Sequence, residues 1–334
     1  MENPLILRGP YGRLRQNEPN GKESGSGYRR ETYHELPALN PSHYKQLIAT
    51  YLFIGGLAGA SQVIAAIVDL RGDGENDIVV RAGRYLAIAG ALSGPAFLIA
   101  DLHTPERWYN MLRIFRPTST MSIGSWTLMF FGSTSALTAG AQFLADRTGS
   151  RKYARAARLL AVPAAAGGAI LATYTGTLLG ATSTPFWAAM SRILPVLFGT
   201  SAIVTSTAAL SCATEFGAAR PAVKKALCRL ALIGGAAELL IESAVERKLE
   251  QEHVDSPLKE PQIAGVHRLY KQLGIIAPLV LNGWVLLSGR RSRGLSLAAS
   301  AAALLGGYLM RSVVLAAGRK SAHYPRDYFS YTKD

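Results

Sequence analysis

LSGPAFLIADLHTPERWYNMLRIFRPTSTMSIGSW, residues 92–126, decides how the rest of the chain is read. It opens as the end of an apolar helix that runs into Asp101. A loop follows that is dense in charge and aromatics: His103, Pro105, Glu106, Arg107, Trp108, Tyr109, Asn110, Arg113 and Arg116. At Met121 and Ser122 the chain turns apolar again. Apolar run, polar loop, apolar run is the pattern of two membrane spans joined at the surface. A polar loop of this length is costly to order unless it makes contacts, so it is a candidate functional element.

Outward from this stretch the alternation repeats. Of the 334 residues 49% are hydrophobic and only 17% charged, against about 25% charged in an average globular chain. Polar residues gather at the N-terminus and between long apolar runs. The net charge of +14 therefore reads as loop charge, and no compact basic domain is present to hold nucleic acid. The two cysteines, Cys212 and Cys228, lie far apart in sequence with no CxxC pattern. No iron–sulfur cluster or zinc site is expected from this chain alone.

Eight spans are predicted, at about residues 44–70, 83–99, 122–144, 159–181, 193–212, 227–245, 273–287 and 295–317. The expected fold class is all-α, a polytopic membrane protein. Residues 1–43 form a polar tail that cannot bury enough apolar surface to fold alone, and residues 318–334 form a second tail. The first tail lacks the apolar core of a signal peptide, so the first span is expected to target the chain. Lys and Arg favour the loops after spans 1, 3, 5 and 7, with Arg71, Arg81, Arg84, Arg147, Arg151, Lys152, Arg220, Lys224 and Arg290 among them. By the positive-inside rule those loops are cytoplasmic, and the termini and the 101–122 loop face outward.

Candidate chemistry is sparse. All six histidines (34, 43, 103, 253, 267 and 323) fall in tails, loops or span ends. None is placed for a transmembrane haem. Glu238 and Glu242 are four residues apart inside span 6 and so share one helix face. A carboxylate at membrane depth is costly and points to a proton path or ion site; for Glu242 the alternative is a helix end already rising out of the membrane. Asp101 at the end of span 2, beside His103, reads either as a helix-end partner of Arg107 or Arg113 or as a proton relay. Tyr174 lies in span 4 among Thr173, Thr175, Gly176 and Thr177. Its hydroxyl either bonds a threonine or is offered to a ligand carbonyl, with Gly176 giving room. Asn40 and His43 sit at the head of span 1 on the same side. A flat, lipid-soluble quinone needs little more than apolar walls and such donors.

Four stretches, YLFIGGLAGA, GPAFLIADLHTPERWYNMLRIFRPTSTMSIGSW, YTGTLLGATSTPFW and LPVLFGTSAIVTSTAAL, resemble the NrfD/PsrC family. These are the quinone-reactive membrane subunits of polysulfide, nitrite and related reductases. The resemblance runs from about residue 40 to 314 and is strongest over 92–126 and 173–210. It implies eight spans as two four-helix bundles, residues 44–181 and 182–317, with no redox metal of their own. It implies menaquinone or ubiquinone bound near the outer face of a bacterial inner membrane. The expected electron partner is a ferredoxin-like iron–sulfur subunit serving a molybdopterin or multihaem catalytic subunit. On this pattern Tyr174 is a quinone ligand, with Asn40 and His43 near the other ligand positions. Asp101, followed by Arg107 and Arg113, lies near the quinone and the partner. His103 joins Asp101 in proton exchange, and Trp108 and Tyr109 join the two arginines in docking or orienting the loop. The long N-terminal tail and the Glu238–Glu242 pair depart from the pattern. A transporter-like ion-translocating subunit and a bare anchor without a quinone site are the competing expectations.

Overall fold

The structure, a computed structural model, describes residues 39, 42, 44, 46–71, 77–102, 104–217, 219–288 and 292–324. Among them every regular element is helical. The long helices are α1 (Gln46–Arg71), α2 (Asp77–Ala100), α3 (Thr120–Thr148) and α4 (Arg151–Gly180). A short α5 (Pro185–Ala189) precedes α6 (Leu194–Phe216) and α7 (Pro221–Gln251). A one-turn α8 (Ser256–Lys259) leads to α9 (Pro261–Leu269), which continues through a π-helical segment, Tyr270–Ile276, into α10 (Ala277–Ser288). The last helix is α11 (Arg293–Ser321).

The helix ends follow local chemistry. The Ser119 hydroxyl accepts from the Ser122 N–H and starts α3, and Gly149, at φ 64°, ends it in the left-handed conformation. Proline occupies the first turn of α6, α7 and α9, where its missing N–H costs nothing. Residues 105–112 of the opening stretch form a run of tight 3-10 turns with no buried residue.

Helices α1 to α4 pack on one another, with α1 against both α2 and α4 and α3 against α4. Helices α6, α7, α10 and α11 form a second set of neighbours, and α6 also meets α1 and α4. Small residues allow the closest approaches. A Cβ on Gly168 would lie 3.1 Å from the Gly59 Cα, so α1 and α4 cross with their backbones touching. Gly274 and Gly306 play the same part between the π-helical segment and α11.

Seven helices are long and apolar enough to cross a membrane, counting Pro261–Ser288 as one. Each predicted span has its helix, but the eighth candidate, α7, is not among these seven. It is 31 residues long, yet Arg229, Glu238 and Glu242 interrupt its apolar run. Helices also extend beyond the predicted spans. Arg81 and Arg84 lie in α2, Arg151 and Lys152 in α4, and Lys224 in α7, so much of the charge assigned to loops sits on helix ends. The exposed surface is rich in large apolar side chains, including Leu92, Leu159, Ile233, Leu240, Trp284 and Leu287. Such a surface aggregates in water and is at home in lipid.

Candidate functional site

The first group gathers around Tyr174, six residues before the end of α4. Its side chain is buried, and its hydroxyl donates to the carbonyl of Thr120 in the first turn of α3. The ring lies against Gly124, where any Cβ would overlap it. The neighbouring threonines do not supply the partner. Thr173 bonds back to Ala169 and Ile170 in its own helix, and the buried Thr175 hydroxyl has no partner among the described residues. Gly176 does not open onto a ligand space either: a Cβ there would lie 2.5 Å from the Leu194 backbone and 2.6 Å from the Pro195 nitrogen. The glycine lets α4 pass the start of α6. Buried Tyr51 of α1 lies close to Tyr174. Tyr44 meets Trp187 at a tilt, ring centroids 6.0 Å apart, and the Trp187 indole N–H donates to the Val314 carbonyl at 2.9 Å. Asn40, His43 and His103 lie outside the described residues.

Beside this group, the loop between α2 and α3 presents Arg107, Trp108, Tyr109 and Arg113 to the surface. Trp108 and Tyr109 meet edge to face at 6.5 Å, and Phe115 and Trp126 at 6.0 Å. Asp101 is half-buried and makes no ion pair with Arg107 or Arg113 among the described residues. Beneath Trp108 an apolar cleft of about 370 Å³ runs between α2 and α3, lined by Pro95, Leu98, Ile99, Met111, Leu128 and Met129.

The second group is the more concentrated chemically. Glu238 and Glu242 of α7 are both buried, and the helix continues past them to Gln251. The Tyr270 hydroxyl donates to Glu238 Oε1 at 3.2 Å and lies 3.5 Å from Glu242 Oε2. His267 Nε2 is 2.7 Å from Glu242 Oε1 and 3.8 Å from Glu246 Oε1. Lys271 Nζ holds both Glu246 oxygens, at 2.8 and 2.9 Å. At the inner end Glu238 faces Ser201 and Arg311. Arg311 is fully buried: Nε donates to the Leu52 carbonyl at 3.1 Å, and Nη1 donates to the Gly307 carbonyl at 2.7 Å and the Ser201 hydroxyl at 3.3 Å. The rings of Phe53 and Phe198 flank the guanidinium at 5.7 and 5.4 Å. Glu242, Glu246 and His267 bring ligand atoms within 4.8 Å of one another, a spacing able to hold an ion, but Lys271 already balances Glu246.

Sequence reasoning found the two acids and missed Tyr270, His267 and Arg311. His267 was placed outside the spans because the apolar run begins only near Leu273. The helix in fact starts at Pro261 and carries His267 inward as a buried residue. The available signal was spacing: His267, Tyr270 and Lys271 stand at i, i+3 and i+4, which share one helix face.

A third polar group lies at the other end of α1 to α4. Buried Arg84 pairs with Asp69 at 2.7 Å and with Gln142, and Gln142 donates to Asp146 at 2.9 Å. Arg81 meets Asp146 at 3.0 Å. This set ties the ends of α1, α2 and α3 together.

Comparison with known proteins agrees with the resemblance read from the residues. No curated protein matches the chain. The family described as "Polysulphide reductase, NrfD" matches residues 36–321, which takes in every helix. The chain is a multi-pass membrane protein of the NrfD polysulphide reductase family.

Proposed function

We propose that this chain is the quinone-reactive membrane subunit of a respiratory oxidoreductase, exchanging electrons between membrane quinone and an iron–sulfur partner. The observation that carries the reading is the family match over residues 36–321. On this reading the helices form eight spans in two four-helix bundles in a bacterial inner membrane. The two sets of helix neighbours support that grouping, and burial of Glu238 and Glu242 inside the protein lowers the cost of carrying them across lipid.

A quinone headgroup bound beside Tyr174 would take over the hydrogen bond that its hydroxyl now gives to Thr120. His43 or Asn40 would serve the other carbonyl. The apolar cleft beneath Trp108 suits an isoprenoid tail. Menaquinone or ubiquinone supplies the two-electron chemistry when bound, and this chain supplies orientation and proton exchange. Two protons accompany two electrons, so the site needs exits: Asp101 with His103 as one, and Glu238 with Glu242 as an internal route. Arg107, Trp108, Tyr109 and Arg113 form the exposed face on which a ferredoxin-like iron–sulfur subunit would dock, with a molybdopterin or multihaem subunit beyond it.

The test is the quinone content of the complex purified from its native membrane. The reading predicts retained quinone and turnover that quinone-site inhibitors block. A complex with neither would be an anchor.

A further inference from the structure

We propose that Glu238, Tyr270, Glu242, His267 and Glu246 form a proton-conducting half-path that connects the membrane interior at Arg311 with one aqueous face only. The proposal deepens the internal proton route above and rests on reading these helices as membrane spans.

Hydrogen bonds run unbroken from His267 to Glu238, and a longer approach joins His267 to Glu246. Glu246 is a third exposed, and its carboxylate reaches His267 Nε2 at 3.8 Å. The same nitrogen lies 2.7 Å from Glu242, so one imidazole atom faces an outer and an inner carboxylate. Tyr270 spans Glu242 and Glu238 at 3.5 and 3.2 Å. Each member can give one proton and accept another, so a hop breaks one O–H or N–H bond, forms the next and needs no oxidant or reductant. The acids fall at every fourth residue of α7, so the path climbs about 12 Å along the helix. Chains of Asp, Glu and His at membrane depth serve as proton relays elsewhere.

The ends are distinct. Lys271 sits at the mouth and holds Glu246. Arg311 closes the inner end. Its guanidinium cannot give up its proton, and Phe53, Phe198 and the Leu52 carbonyl surround it. It stands ten residues before the end of α11, or about 15 Å below that face. A proton can therefore load onto Glu238 from the Glu246 side and finds a fixed positive charge beyond it. The π-helical segment that carries Tyr270 is the kind of irregularity that recurs at functional sites. No redox group or quinone ligand is needed by this arrangement, which is carried by α7, α9, the π-helical segment and α11 and meets α1 at Leu52 and Phe53 and α6 at Ser201 and Phe198.

The test is hydrogen–deuterium exchange of the buried carboxyls, followed by infrared spectroscopy on the full chain in phospholipid nanodiscs. The pH is lowered until protonated carboxyl bands show. E238Q and E242Q identify the bands by their loss; E238D and E242D identify them by a shift if the glutamine variants do not fold. Both bands of the wild type are expected to exchange within the mixing time. Tyr270→Phe is expected to slow Glu238 on the order of 100-fold while Glu242 stays fast, and His267→Phe to slow both. Equal Glu238 exchange in Tyr270→Phe and wild type overturns the path. So does a wild type in which Glu238 does not exchange, or in which no carboxyl band appears before the protein unfolds. The measurement uses no quinone, so the path and the quinone reading fail separately.

Discussion

His267 Nε2 lies 2.7 Å from Glu242 Oε1 with both side chains buried, joining α9 to α7 across the interior of the second helix set. Neither residue can lose the other cheaply, because an unpaired polar group in the interior keeps its full desolvation cost. His267→Leu is expected to destabilise the protein by about 2 kcal/mol, read as a lower thermal midpoint in detergent. His267→Asn, which can still donate, is expected to lose less than half of that. Equal losses for the two variants would show that packing, and not the hydrogen bond, is what matters.

Arg311 is the more severe case. Replacing it with Met leaves Glu238 buried without its positive neighbour and removes the bond that Nε gives to the Leu52 carbonyl. Removing the cation that faces a buried acid costs up to about 3–5 kcal/mol. Arg311→Met is therefore expected to reduce the folded, monodisperse yield sharply, and Arg311→Met with Glu238→Gln to recover part of it. Size-exclusion profiles of the two variants decide the matter.

Gly124 and Gly140 lie on the same helix and predict opposite outcomes. A Cβ at Gly124 meets the Tyr174 ring, while nothing lies within 4 Å of one at Gly140. Gly124→Ala is expected to cost about 1–3 kcal/mol through overpacking. Gly140→Ala is expected to gain about 0.5–1 kcal/mol from helix propensity. Thermal midpoints of both variants in one detergent check the pair.

How far the sequence foretells this arrangement differs by element. The long helices were legible because an apolar run of roughly 20 residues needs a helix in lipid; a helix stands at every predicted position, and seven of them are apolar enough to cross. Their ends were not, since α4 and α9 begin two turns or more outside their apolar runs. The shared face of Glu238 and Glu242 was legible from spacing alone. Their partners were not, because Arg311 lies far along the chain and only packing brings α11 to α7 and the π-helical segment. The Tyr174 hydroxyl likewise finds a backbone carbonyl of another helix, which no local pattern encodes. Asn40, His43 and His103 fall outside the described residues.

The exposed arginines of the α2–α3 loop give an electrostatic prediction. Rim charges set association rate and salt dependence more than the lifetime of a complex. Arg107→Glu with Arg113→Glu is expected to slow capture of the proposed iron–sulfur partner roughly tenfold at low salt and to flatten its salt dependence. Stopped-flow or surface-capture kinetics at two ionic strengths measure this. An unchanged rate would move the docking face elsewhere.

The central claim is that a quinone binds beside Tyr174. Its most direct measurement is quinone titration of the full-length chain in nanodiscs, wild type against Tyr174→Phe, with thermal stability measured alongside. The account predicts saturable binding in the wild type. It predicts affinity weakened by about 1 kcal/mol, roughly fivefold, in the phenylalanine variant, the worth of one hydrogen bond. Equal affinity in two equally stable proteins, or no saturable binding to the wild type, would contradict it.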